Sequence, residues 1–242
     1  MKFARRLPLE GLWNARDLGG YPTAGGGVTR FGVFVRCEAP CGLPDATVRA
    51  LADYGIRTAV DLRSAAETAA RPSDLRAAMT CVACPQGGDA ETFHAAGAVD
   101  WQAVYIRRCE DNRPWVRRAL ELAARREGGV LFHCTTGKDR TGLVACFLLS
   151  LAGVSREDIA ADYCVSELYL QPVFEAMRSG RIITRPGGPT AYDPSIFHTP
   201  ASAMLGLVDY LTETYGSVPA YLETAGVTAD VADAIRARFV EP

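Results

Sequence analysis

Apolar positions along the chain fall into two kinds of run. Val28 to Arg36, Ile56 to Leu62, Thr80 to Pro85 and Val130 to His133 read as strands. The second and fourth are short, nearly continuous apolar runs of the kind that lie in a parallel sheet covered on both faces. Between them the spacing turns helical. Leu43 to Tyr54 opens on Pro-Asp and carries Val48, Leu51 and Ala52 on one face, and Pro114 to Glu127 has proline in its first turn and Gly128-Gly129 beyond its end. Both fit crossover helices. From Arg140 to Leu151 the apolar positions run all round, so that helix is buried on most sides and stops at Gly153. Ser155 to Asp158 is a capping-box variant opening a helix to about Leu170, and two or three helices between Ala201 and Phe239 finish the chain. Arg178 to Pro200, rich in Gly, Pro and Thr, reads as a cover or a long irregular loop, and Gln86 to Ala98 as a second long loop. The pattern predicts an α/β fold: a central, mainly parallel sheet flanked by helices, with a helical C-terminal half.

Composition narrows the function. With 242 residues, one domain over 1–242 is the default, and 48% hydrophobic against 22% charged residues supports a proper core. The 26 basic and 28 acidic residues nearly cancel, and no Lys/Arg run marks a nucleic-acid or membrane footprint. Any anion must then be caught by a local site. Only Lys2 and Lys138 are lysines, which makes Lys138 conspicuous. The eight cysteines are too sparse for a disulfide scaffold and the first residues lack the apolar stretch of a secretory signal, so reduced thiols in a cytoplasmic chain are expected. The longest apolar run, Leu143 to Ala152, falls short of the roughly 20 residues that span a bilayer, so no membrane segment is expected.

The decisive segment is His133-Cys134-Thr135-Thr136-Gly137-Lys138-Asp139-Arg140-Thr141-Gly142, set between a buried strand and an apolar helix. A loop closing onto a helix N-terminus aims several unpaired N–H groups at one point, and the helix dipole adds positive potential there. The same field stabilises a thiolate on Cys134. Arg140, at the start of the helix, can turn its planar fork back over the cradle and hold two oxygens of a tetrahedral anion. A phosphoryl group suits this geometry. A Walker nucleotide loop is excluded, because Asp139 follows Gly137-Lys138 where Ser or Thr belongs and Phe132 stands where the first glycine belongs. Cys81-x2-Cys84 with Cys37-x3-Cys41 has unspecific spacing for a zinc site, and no metal is expected.

Cys134 and Arg140 form the C-x5-R signature, and the longer HCTTGKDRTG resembles the bacterial branch of the cysteine-dependent protein tyrosine phosphatases, with its mycobacterial and listerial members. Asn14 to Tyr21 (NARDLGGY), Ile56 to Ser64 (IRTAVDLRS) with Glu67, and Tyr215-Gly216-Ser217-Val218 with Tyr221-Leu222 are similar to further segments of that family in the same order. The resemblance implies that Cys134 attacks phosphorus to form a cysteinyl-phosphate, that Arg140 binds the phosphate and stabilises the transition state, and that the amides of Thr135, Thr136, Gly137, Lys138, Asp139 and Arg140 line the cradle. It implies that Thr141 donates its hydroxyl to the departing sulfur and that His133 orients the loop. Lys138 and Asp139 distinguish this branch, and an extra cation beside the phosphate would favour polyanions. Substrates implied are phosphotyrosine first, then phosphoserine/threonine or phosphoinositides, with no metal or organic cofactor.

No Trp-Pro-Asp occurs, so the general acid stays open among three aspartates: Asp139 inside the loop, Asp61 at the C-terminal end of a strand, and Asp89 in the loop after the third strand, where related phosphatases carry their acid. Arg16 with Asp17, and Arg63 with Glu67, read as ion pairs fixing loops around the site. His94 and His198 read as loop histidines, and Tyr169, Phe174, Tyr192 and Phe197 as core or cover. The alternative in another class is a catalytically silent phosphate-binding module, which would not need Cys134, Arg140 and Thr141 together. A sulfur- or arsenate-handling enzyme could use the same loop but not the matching segments outside it.

Overall fold

The computed structural model describes residues 5–87, 99–181 and 194–242. Its strands are β1 (Arg16–Asp17), β2 (Val28–Thr29), β3 (Phe34–Cys37), β4 (Ile56–Asp61), β5 (Thr80–Ala83), β6 (Gly129–His133) and β7 (Val240–Glu241). Its α-helices are α1 (Asp45–Asp53), α2 (Ala65–Ala70), α3 (Trp101–Asp111), α4 (Arg113–Ala124), α5 (Asp139–Leu151), α6 (Arg156–Tyr169), α7 (Gln171–Arg178), α8 (Ala201–Tyr215), α9 (Val218–Thr224) and α10 (Ala229–Phe239).

The main sheet has the order β1-β3-β6-β4-β5. β6 lies between β3 and β4, and these three and β5 run parallel, while β1 closes one edge antiparallel. The architecture is therefore the α/β one expected. Strand alternation sends Phe34, Val60, Val130 and Phe132 into one core, packed on α5, and Val35, Cys37, Ala59 and Leu131 into a second core with Val48 and Leu51 of α1. All of these are at most 7% exposed, so each large apolar side chain contributes about 1.5–3 kcal/mol. α5 is buried on nearly every side, as its all-round apolar pattern requires.

Three expectations need correction. The run Val28 to Arg36 is two strands, because Gly32 turns the chain in a left-handed conformation (φ +78°) and gives its N–H to Asp17; β2 pairs with β7, away from the main sheet. α2 and α3 stand where no helix is predicted. Ser64 and Glu67 form a capping box for α2, and Asp100 caps α3, whose Trp101, Tyr105 and Cys109 make a buried i,i+4 stripe. Within 178–200 the described part includes the end of α7 and a 3₁₀ turn, Pro194–Phe197. Ser155 caps α6 through the Asp158 N–H, and three helices follow Ala201. Among the described residues no helix is long and apolar enough to cross a membrane.

Candidate active site

Parallel register brings three strand ends together, with Cys37 of β3 and Asp61 of β4 both opposite His133 of β6. Cys134 leaves the sheet at that edge, buried at 2% exposure, and residues 134–138 carry the chain into α5. Open α/β sheets place ligands at this carboxyl edge.

The loop's carbonyls are tied outward. Thr135 O accepts from Ala39 N (3.1 Å), Thr136 O and Gly137 O from Asn14 Nδ2 (3.1 and 3.2 Å), and Gly137 O and Lys138 O from Arg36 Nη2 (2.7 and 3.3 Å). In a planar trans peptide the N–H points away from the C=O, so the amides of Thr136, Gly137, Lys138 and Asp139 turn to the opposite, inner side. Gly137 is required twice. Its φ is +67°, and a Cβ there would lie 2.3 Å from Cys37 O.

Beneath the loop lies a buried polar network. Arg36, fully buried, bonds Asp162, whose other oxygen accepts from Arg16 Nε at 2.8 Å. Arg16 also donates to Ser166 Oγ (2.9 Å) and to the Asn14 side chain (2.5 Å), and Glu38 accepts from the N–H groups of Trp13 and Asn14. Despite burial, the two guanidinium groups hold Asp162 down at about 2, so two positive charges face one negative. Arg36 lies within electrostatic reach of Cys134. The anticipated Arg16–Asp17 pair does not form. Adjacent strand residues point to opposite faces, and Asp17 instead accepts from Gly19, Gly32 and Tyr54.

Over the loop, Glu67 grips Arg140 with both oxygens (2.7 and 2.8 Å) and also takes the Thr135 hydroxyl. Although burial opposes it, these bonds lower the Glu67 carboxyl to about 2 and push the Arg140 guanidinium up. Arg140 Nη1 also donates to Leu62 O at 3.2 Å. This replaces the Arg63–Glu67 pair. Arg63 precedes the helix that Ser64 caps and binds Asp61 instead (2.9 and 2.8 Å).

The acid candidates separate. Asp61 accepts from the Arg63 side chain and N–H and from Thr68 Oγ1 (3.2 Å); these bonds, with His133 nearby, overcome burial and lower its pKa. Asp139 Oδ1 accepts from Tyr105 (2.5 Å) and stands 3.5 Å from Lys138 Nζ. Asp89 and His94 lie outside the described residues. Lys138 lies within electrostatic reach of Cys134, but its hydrogen bonds go elsewhere. Its buried Nζ donates to Ile196 O (2.7 Å) and His198 O (3.0 Å) and lies 3.9 Å from the Trp101 ring centroid, tying the loop to the 3₁₀ turn. The Thr141 hydroxyl is buried with no hydrogen-bond partner among the described residues, and His133 is held neutral, its pKa pushed down to about 4 by burial. Arg108 of α3 stands within electrostatic reach of Asp139, Arg140 and Cys134, its own pKa lowered by burial.

The sequence profile described as Tyrosine phosphatase family matches residues 7–241. The chain belongs to the tyrosine phosphatase family. A tyrosine-protein phosphatase of Nostoc commune is 34% identical over 57% of the chain and 49% of its own length. A Cupriavidus necator relative is 34% identical over 66% and 62%. The chain thus matches about half to three-fifths of the length of these two relatives. The triple specificity protein phosphatase PtpB of Mycobacterium tuberculosis is 26% identical over 94% of the chain and 96% of its own. The crystal structure of P. aeruginosa TpbA aligns over 83% of the chain and 90% of its own with a TM-score of 0.39 and 18% identity, too distant for its geometry to be carried over.

For this tyrosine phosphatase family member, sequence reasoning missed Arg36, Asp162, Tyr105 and Tyr163 and misassigned the partner of Glu67. Asn14 and Glu67 were visible in the segments that resemble the family. Cys37 and Cys81 pack on one face of the sheet and Cys84 on the other, so the two cysteine pairs are not brought to one point. Phe174 and Phe197 pack together at 5.0 Å in a small core, Tyr169 carries the Arg6 guanidinium, and Tyr192 lies outside the described residues.

Proposed function

We propose that the protein hydrolyses phosphomonoesters, phosphotyrosine first, through a phosphocysteine intermediate. The observation that carries this reading is the outward tying of the loop carbonyls, which turns four amides to the inner side of the loop that Cys134 opens, with the Glu67-pinned Arg140 within electrostatic reach of Cys134. The Cys134 thiolate attacks phosphorus while the amides and Arg140 take up charge on the equatorial oxygens. Asp139 gives its proton to the leaving oxygen, and its carboxylate then takes one from the water that displaces sulfur. Asp61, already an acceptor for Arg63 and Thr68, holds the strand ends rather than giving a proton. Thr141 supports the departing sulfur.

Phosphotyrosine leads because Lys138, the cation that would favour polyanions, has its donors on two carbonyls and its charge beside Asp139. Hydrolysis of p-nitrophenyl phosphate by the purified chain tests the reading. Cys134→Ser is expected to abolish turnover; retained turnover would overturn it. Phosphotyrosine peptides should be turned over faster than phosphoserine peptides or phosphoinositide vesicles, and a reversed order would correct the substrate class.

A further inference from the structure

Behind Asp139 two tyrosine hydroxyls form a chain. Tyr105 of α3 donates a hydrogen bond to Asp139 Oδ1 at 2.5 Å, and the Tyr105 and Tyr163 oxygens are 2.7 Å apart. Both rings are buried, at 0% and 1% exposure. They meet edge-on (centroids 5.8 Å, 89°), Trp101 packs on Tyr105 with its ring tilted by 39° at 5.6 Å, and Tyr163 is packed against Gly142 so closely that a Cβ there would lie 3.3 Å from its ring. Neither hydroxyl can swing away without breaking that packing.

Proton placement follows from counting donors and acceptors. With Oδ1 bare, Tyr163 donates to Tyr105 and Tyr105 donates to Oδ1, so every proton has an acceptor. With a proton on Oδ1 the chain reverses, and the Tyr163 proton then has no acceptor among the described residues. A buried donor left unmade is costly, so the transferable proton belongs on Oδ2. We propose that Tyr105, backed by Tyr163, is a positioning residue that reserves Oδ1 of Asp139 and so presents the proton on Oδ2 to the leaving oxygen. The proposal rests on Asp139 being the acid.

In the first step the Oδ2–H bond breaks and the proton joins the leaving oxygen as the S–P bond forms and the P–O bond breaks. The carboxylate left behind keeps the Tyr105 bond. In the second step it takes a proton from water as the water oxygen bonds phosphorus and the P–S bond breaks, returning the thiolate. The groups that set the charge here are Tyr105 and Arg108 from α3, Cys134 and Lys138 from the loop, Arg140 from α5 and Tyr163 from α6. Burial, with Asp139 beside them, raises both tyrosines well above neutrality, so they hold their protons through turnover.

The test compares phenyl phosphate, a poor leaving group, with p-nitrophenyl phosphate, a good one, for Tyr105→Phe, Tyr163→Phe, Asp139→Asn and the Tyr105→Phe/Asp139→Asn double variant. Tyr105→Phe is expected to lower kcat on phenyl phosphate about 10-fold and on p-nitrophenyl phosphate less than about 3-fold, with KM held. The alkaline limb of its kcat profile on phenyl phosphate, above which the acid has lost its proton, should move to higher pH, because a donor to the carboxylate is gone. Tyr163→Phe should move both readouts the same way by less, which also gives a reading if Tyr105→Phe folds poorly. In the Asp139→Asn background Tyr105→Phe should add nothing. Equal losses on both substrates, an unmoved limb or additive losses would overturn the proposal while Asp139→Asn remains selectively impaired. Wild-type behaviour of Asp139→Asn on phenyl phosphate would instead remove the acid assignment itself.

Discussion

The loop from Cys134 to Lys138 is held from two sides in different ways. Below it, Arg16, Arg36 and Asp162 are at most 3% exposed and share two positive charges over one negative; loop carbonyls, the Asp162 carbonyl and Ser166 take further donors, and Arg36 Nε has no hydrogen-bond partner among the described residues. Above it, Arg140 and Glu67 are one cation to one carboxylate, with side chains 17% and 12% exposed. Asp162 cannot leave the lower set without stranding buried positive charge, and loss of either arginine strips hydrogen bonds from buried partners. The upper pair can loosen toward an entering phosphate, because the guanidinium then trades one bidentate anion for another. Changes below the loop should therefore read out as stability and changes above it as turnover.

The largest effect tests the upper side. Arg140→Ala is expected to lower kcat/KM on p-nitrophenyl phosphate by about 10³–10⁴-fold, about 4–5.5 kcal/mol of barrier, with the urea midpoint little changed. The next tests the lower side. Asp162→Asn removes the carboxylate that both buried guanidinium groups share and is expected to cost about 3–4 kcal/mol in urea unfolding. If Arg140→Ala destabilises as much as Asp162→Asn, the division between the two sides is wrong.

What could be read from the chain follows the same division. The strands β4 and β6, helix α5 and the loop between them were legible because continuous apolar runs and a dense local motif carry them. Glu67 was legible as a residue but not in its partner: four-residue spacing suggests Arg63, yet Ser64 caps α2, which puts Arg63 outside the helix. Arg36, Asp162, Tyr105 and Tyr163 were invisible. Each is one polar residue within an ordinary element, and partners 126 and 58 positions apart meet only once the sheet and helices have packed.

A smaller effect lies at the sheet edge between the two sides. Burial holds His133 neutral with a pKa of about 4 against an ordinary 6.5, so between those values the unfolded chain binds a proton that the folded chain does not. Stability from this residue is therefore full above pH 6.5 and falls on acidification, by about 2 kcal/mol at pH 5. Asp17 and Glu38, whose pKa values burial raises, titrate in the opposite sense. The quantity to measure is thus the difference in urea midpoint between wild type and His133→Asn, which should shrink as pH falls from 7 to 5. A constant difference would show that His133 is not held neutral.

The smallest effect separates the two readouts within one residue. Thr141 is buried at 0% exposure and its hydroxyl bonds nothing among the described residues, so Thr141→Val, which keeps the shape, should leave stability unchanged or raise it by up to about 1 kcal/mol. If that hydroxyl is kept at such a cost to support the departing sulfur, its loss should slow breakdown of the phosphocysteine about 10-fold while leaving its formation alone. Rapid mixing with p-nitrophenyl phosphate would then give a burst of about one nitrophenolate per Cys134 before a slowed steady state, where wild type gives none. A variant that is less stable and shows no burst would make the hydroxyl a structural group, its readout that of the lower side of the loop.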